Sequence, residues 1–150
     1  EIVKHVLNEC SIDGRRIYVS GNSMGGYGCL KLAVRWPSFF AAVAPVAAHY
    51  EEDLDELVET LTSRPMPPFW FVQATNDTIC KFKPMQKLVR DLQWRSSVEV
   101  KLTAFEDTWS SSGHSTDSAA YMCTTSPQES RNIALGSELF SWLLRNSLEE

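Results

Sequence analysis

Residues 15–32 read Arg-Arg-Ile-Tyr-Val-Ser-Gly-Asn-Ser-Met-Gly-Gly-Tyr-Gly-Cys-Leu-Lys-Leu, and no other segment limits the fold as strongly. A β-branched and aromatic run (Ile17, Tyr18, Val19) enters Gly21-Asn22-Ser23-Met24-Gly25, and a helix-forming stretch follows. A G-x-S-x-G pattern between strand and helix is a sharp turn that holds its serine in a strained backbone conformation. Bulk two residues to either side would collide with the adjoining strand and helix, which is why Gly21 and Gly25 suit those places. The serine hydroxyl then stands at the carboxyl end of a sheet, beside helix-terminal amides able to meet an oxyanion. A phosphate-binding loop fits less well. Gly21, Gly25 and Gly26 lack the G-x-G-x-x-G order, and no Gly-Lys-Ser/Thr follows.

At 150 residues and 43% hydrophobic, the chain can bury one substantial core. Its net charge is −5, and scattered Lys and Arg leave no basic footprint for nucleic acid. The longest apolar run, residues 39–48, contains Pro45 and is too short to span a bilayer. Cys10, Cys29, Cys80 and Cys123 show no C-x-x-C spacing and no histidine near them in the sequence. That argues against zinc and for isolated thiols, with a lean towards a reducing, cytoplasmic compartment.

Periodicity gives the order of elements. Ile2, Val3, Val6 and Leu7 predict an amphipathic helix over residues 1–10, and residues 16–20 a buried strand. A helix over 24–35 stops at Trp36-Pro37. A strand over 41–47, an acidic helix over 51–61 and a third strand over 69–73 follow, the last after a proline-rich loop. Residues 83–94 repeat apolar positions at helical spacing, and 98–105 alternate as a fourth strand. A Ser-rich loop over 107–118 and a helix over 133–144 complete the pattern. Strands alternating with helices predict an α/β fold: a mostly parallel sheet with flanking helices.

A serine hydroxyl needs a base to take its proton, and the base needs an acid to fix its tautomer. Of the three histidines, His5 reads as a surface residue of the first helix. His49 can line the site but comes too early for a Ser…Asp…His order. His114, in Ser112-Gly113-His114-Ser115 after the last strand, shares the sheet edge of Ser23. Asp77 follows the third strand directly, whereas Glu106 and Asp107 lie too close to His114 to approach it from another strand end. A plain turn role for Asn76-Asp77 stays open.

Residues 12–28 and 33–42, from Ile12-Asp13 through the Ser23 turn to Trp36-Pro37 and Ala42, resemble the predicted peptidase and esterase branch of the α/β-hydrolases, near polyhydroxybutyrate-depolymerase-like and dienelactone-hydrolase-like proteins. Gly113-His114 matches the Gly-His of those relatives, while Gln73-Ala74-Thr75-Asn76-Asp77 stands where they carry His-Gly-x-x-Asp. The resemblance covers nearly the whole chain but only the second half of such a fold, so residues 1–150 are expected to be the C-terminal part of a single catalytic domain without its N-terminal strands. It implies Ser23 as nucleophile, Asp77 as acid, His114 as base and the Met24 amide as one oxyanion donor. The loop giving the second donor is expected to be absent along with those strands. The expected activity is cleavage of carboxylic esters, or of peptides, through an acyl-enzyme, with no metal or organic cofactor. An inactive hydrolase-like binding or scaffold module, and acyl transfer at the same site, are the alternatives. Tyr27, Tyr50 and Trp109 suggest an aromatic-lined pocket or, equally, core. With no upstream neighbour for the first strand, Ile17 and Val19 are expected on an open edge that invites self-association.

Overall fold

The computed structural model describes residues 2–107, 109–122 and 135–148. Cys123 and the first two residues of the expected closing helix lie outside them. The described elements run α1 (Ile2–Glu9), β1 (Tyr18–Asn22), α2 (Met24–Arg35), β2 (Ala42–Val46), α3 (Leu54–Thr62), β3 (Phe69–Ala74), α4 (Phe82–Arg95), β4 (Val100–Phe105), α5 (Thr116–Tyr121) and α6 (Gly136–Arg145). The four strands form one sheet in the order β1-β2-β3-β4, and every pair is parallel. The expected α/β architecture is present.

Strand alternation sorts the core into two layers. Val43, Phe69, Phe71 and Val100 face α2, α3 and α4, meeting Leu30, Leu61, Leu88 and Leu92. Ala42, Ala44, Trp70, Val72 and Phe105 face the other way, onto Ala119, Ala120, Leu139 and Trp142 of α5 and α6. Each fully buried leucine or phenylalanine contributes roughly 1.5–3 kcal/mol relative to exposure. β2 and β3 are buried along their whole length, as near-continuous apolar runs between two helical layers should be.

The differences from expectation have local causes. The first strand is half-buried, with Ser20 exposed, because among the described residues only β2 pairs with it. It also begins at Tyr18, since Asp13 accepts the Arg16 amide at 3.0 Å and holds the preceding turn. α3 begins at Leu54 because the Asp53 carboxylate caps it, accepting Asp55 N at 2.7 Å and Glu56 N at 3.1 Å. Part of the Ser-rich stretch is helical: Thr116–Tyr121 forms α5, whose alanines pack on the sheet. α1 buries none of its residues. Its Val3 lines an apolar groove of about 620 Å³ with Ile17, Val19, Trp36 and Phe39, beside the open edge of β1. Among the described residues no helix is long and apolar enough to cross a membrane.

Candidate active site

The carboxyl ends of β1, β3 and β4 carry the three residues singled out by the sequence. Ser23 sits between β1 and α2 with φ 58° and ψ −114°, a backbone region that costs a non-glycine residue of order 1–3 kcal/mol. The surroundings fix this conformation: Ser23 N donates to Val46 O at 2.9 Å, and Tyr27 N donates to Ser23 O at 3.1 Å. A Cβ on Gly21 would lie 2.7 Å from the Gly25 carbonyl group, so that position admits no side chain. The steric reason given for Gly25 does not hold, because a Cβ there meets nothing within 4 Å. The crowding falls on the next residue, where a Cβ of Gly26 would stand 2.7 Å from Val46 O.

Asp77 occupies a tight turn after β3. Its Oδ1 accepts Ile79 N and Cys80 N, both at 2.8 Å, and its side chain is fully enclosed. Gln73, standing where a histidine was expected from the resemblance, is 1% exposed and donates from Nε2 to Cys80 O at 2.7 Å. Without His-Gly, this turn is closed by the Gln73 amide. Asp77 Oδ2 faces His114 Nδ1 at 2.8 Å, and His114 Nε2 faces Ser23 Oγ at 2.9 Å. With the proton on Nδ1, the imidazole donates to the carboxylate and accepts from the hydroxyl. Met24 opens α2, so its amide has no helical acceptor.

By sequence Asp107 reads only as a rival acid. It is 2% exposed and holds the His114 loop by its backbone instead. Oδ1 accepts Trp109 N at 2.8 Å; Oδ2 accepts Ser115 N at 2.7 Å and Ser110 Oγ at 3.0 Å. Ser110 Oγ in turn accepts His114 N at 3.0 Å. Burial would raise the Asp107 pKa, but the Ser115 and Trp109 amides and the Ser110 hydroxyl outweigh it and hold it below the usual carboxylate value. Asn76 bridges the two loops, donating to Asp107 O at 2.7 Å and accepting Asp107 N at 2.9 Å. Gly113, at φ +69°, passes so near Asn76 that a Cβ would lie 2.5 Å from its carbonyl oxygen. The signal for this clamp was in the sequence, as Asn/Asp residues directly after β3 and β4. Glu106 is exposed and takes no part.

His5 is exposed on α1, as expected. His49 does reach the site: its ring stacks on Tyr27 at 5.4 Å, and its Nδ1 lies 3.5 Å from Cys80 Sγ. Burial pushes the Cys80 thiol up, the Asp77 charge adds to this, and a hydrogen bond with Ser23 acts against it. Tyr27 and Tyr50 line one flank with ring centroids 5.7 Å apart, and Glu52 accepts from Tyr27 Oη and Lys31 Nζ. Trp109 is part-exposed.

This parallel sheet with flanking helices, with the Ser23 turn, the Asp77 turn and the His114 loop at one edge, is part of an α/β-hydrolase fold. The sequence profile of the family Esterase PHB depolymerase matches residues 1–52. No curated protein matches the chain. Among solved structures, a thermostable esterase is similar at 26% identity and TM-score 0.71, over 97% of this chain and 35% of its own. SOBER1 of Arabidopsis thaliana is similar at 17% identity and TM-score 0.61, over 96% and 59%. FphF, a fluorophosphonate-binding serine hydrolase of Staphylococcus aureus, is similar at 14% identity and TM-score 0.63, over 95% and 60%. The chain thus spans between about a third and three fifths of the length of these structures.

Proposed function

We propose that residues 1–150 are the C-terminal part of an α/β-hydrolase catalytic domain and carry the reacting residues of a serine hydrolase acting on carboxylic esters. The observation that carries this reading is the unbroken chain Ser23 Oγ, His114 Nε2, His114 Nδ1, Asp77 Oδ2, with contacts of 2.9 and 2.8 Å. Nothing else in the fold requires a strained serine, a half-buried imidazole and an enclosed carboxylate in a row.

In this scheme Ser23 Oγ attacks the ester carbonyl while His114 Nε2 takes its proton. Asp77 holds the imidazole tautomer and stabilises the imidazolium. The Met24 amide donates to the developing oxyanion. His114 returns the proton to the leaving alcohol, leaving an acyl group on Ser23. A water, deprotonated by the same nitrogen, then releases the acid. Peptides fit the same sequence of steps with an amine as leaving group. The chain covers about a third to three fifths of the similar structures' length, and in this reading a second oxyanion donor comes from the remainder. Removing one such donor typically costs about 10²–10³ in kcat, so modest turnover by these 150 residues alone is compatible with an intact reacting set.

The test is a fluorophosphonate probe followed by peptide mapping. Adduct at Ser23, lost in a folded Ser23→Ala variant, is the expected result. Adduct at another serine with Ser23 unmodified would end the assignment, and no adduct on a folded chain would favour an inactive binding module.

A further inference from the structure

Cys80 and His49 are used by none of these steps, yet they lie beside the reacting residues. We propose that Cys80, His49 and Glu51 form a second nucleophile–base–acid relay, through which Cys80 adds to small α,β-unsaturated carbonyl compounds and blocks Ser23.

Three observations carry it. The first is the relay itself. Cys80 Sγ lies 3.5 Å from His49 Nδ1, and His49 Nε2 faces Glu51 Oε1 at 3.5 Å. With the proton on Nε2, the imidazole donates to Glu51 and accepts from the thiol. A nucleophile within reach of a base that a third group orients is the general mark of an activated side chain. The second is rigidity. Asp77 accepts the Cys80 amide at 2.8 Å and Gln73 donates to its carbonyl at 2.7 Å, while Tyr27 stacks on the His49 ring within 13° of parallel. The third is place. Cys80 Sγ lies within 4.8 Å of a His114 ring nitrogen and of an Asp77 carboxylate oxygen, and it is in hydrogen-bond contact with Ser23. A group that reaches Ser23 therefore meets the thiol as well. Cys80 is 3% exposed, which restricts it to small electrophiles. Burial and the Asp77 charge keep its thiol protonated, so reaction needs His49 as base.

The step is a conjugate addition. Cys80 Sγ bonds to the β carbon of the unsaturated carbonyl while its proton passes to His49 Nδ1, and Glu51 stabilises the imidazolium. The π electrons of the carbon–carbon double bond move into an enolate, which takes the proton back at the α carbon. The product is a thioether; nothing leaves, and neither oxidant nor reductant is used. The added group fills the space beside Ser23 Oγ and excludes an ester from it. The adduct stands without the serine-hydrolase reading; the inhibition rests on it.

The experiment treats the folded chain with acrylamide and follows adducts by peptide mapping. Cys10 is the exposed standard, and Cys29, a buried thiol pushed up to about 12, controls for burial. Cys80 should react about tenfold or more faster than Cys29. His49→Ala should slow Cys80 about tenfold or more and leave Cys10 unaltered. Glu51→Gln should slow Cys80 by a smaller factor, and an unchanged rate there removes Glu51 from the relay. A Cys80 rate no faster than that of Cys29, or one unchanged by His49→Ala, overturns the proposal. Unfolding of a variant would accelerate Cys29, so the mapping itself reports it, and His49→Gln then takes the place of His49→Ala. The Cys80 adduct should also slow phosphonate capture of Ser23 about tenfold or more, an effect of acrylamide that Cys80→Ala should abolish. If Ser23 is never captured, the hydrolase reading fails while the mapping still reports on Cys80.

Discussion

Replacing Asp107 with alanine should separate the scaffold of the base from the base itself. The carboxylate accepts two amides and one hydroxyl at 2.7–3.0 Å and touches no ring atom of His114. Hydrogen bonds to a charged group contribute about 1.5–3 kcal/mol each. Water entering the part-buried loop recovers some of this, so a net loss of about 2–4 kcal/mol is expected. For a domain of this size that lowers Tm by about 5–15 °C. Freed of Ser110 and Ser115, the His114 loop should drift, and misplacement of about 1 Å costs on the order of 10²-fold in rate. The assay pairs thermal unfolding with the rate of Ser23 phosphonylation. pH adds a second signature. Because the folded pKa lies below the ordinary 3.8, the part of the Asp107 contribution linked to its charge is fully present well above that ordinary value and is lost as pH falls through the folded value. The stability gap between wild type and variant should therefore narrow under acid. Wild-type melting with a wild-type labelling rate, or a stability gap that widens as the solution is made acid, would refute the clamp.

His114→Ala and Asp77→Ala should each reduce Ser23 acylation about 10⁴-fold or more, the double variant being little worse; equal damage from His49→Ala, with His114→Ala near normal, would reassign the base. Gly113→Ala forces a Cβ into the Asn76 carbonyl at positive φ and should destabilise the chain by about 1–3 kcal/mol, measured by denaturant unfolding. The open edge of β1 and the apolar groove beside it should make the 150-residue chain self-associate; a monodisperse monomer by light scattering, with cooperative unfolding, contradicts that.

Much of the frame was legible because it rests on local rules. Apolar spacing located α2 at residues 24–35 and α4 within a residue or so, and the Gly21–Gly25 segment marked the turn at Ser23. Ser23, His114 and Asp77 lie within hydrogen-bond reach in that order because each follows a strand end, and strand ends of a parallel sheet share one edge. What escaped depends on non-local packing. α5 has too few residues to show a period and forms because Ala119 and Ala120 meet the sheet. The crowding at Gly26 comes from Val46, twenty residues away. The role of Asp107 needs the path of the loop around it, and the approach of His49 to Cys80 needs β2 and β3 to be neighbours.

The strand order has a consequence for synthesis. Each strand pairs with the one made just before it, so the sheet can extend strand by strand as the chain leaves the ribosome, without holding an open slot for a later insertion. The residues at its rim mature on a different schedule. Ser23 is translated 91 positions before its imidazole partner, which is seated only when the Asn76–Asp107 bridge closes. A nascent or partly unfolded chain would then carry a bare hydroxyl with no base beside it, and reactivity at Ser23 would report completed folding more stringently than helix content.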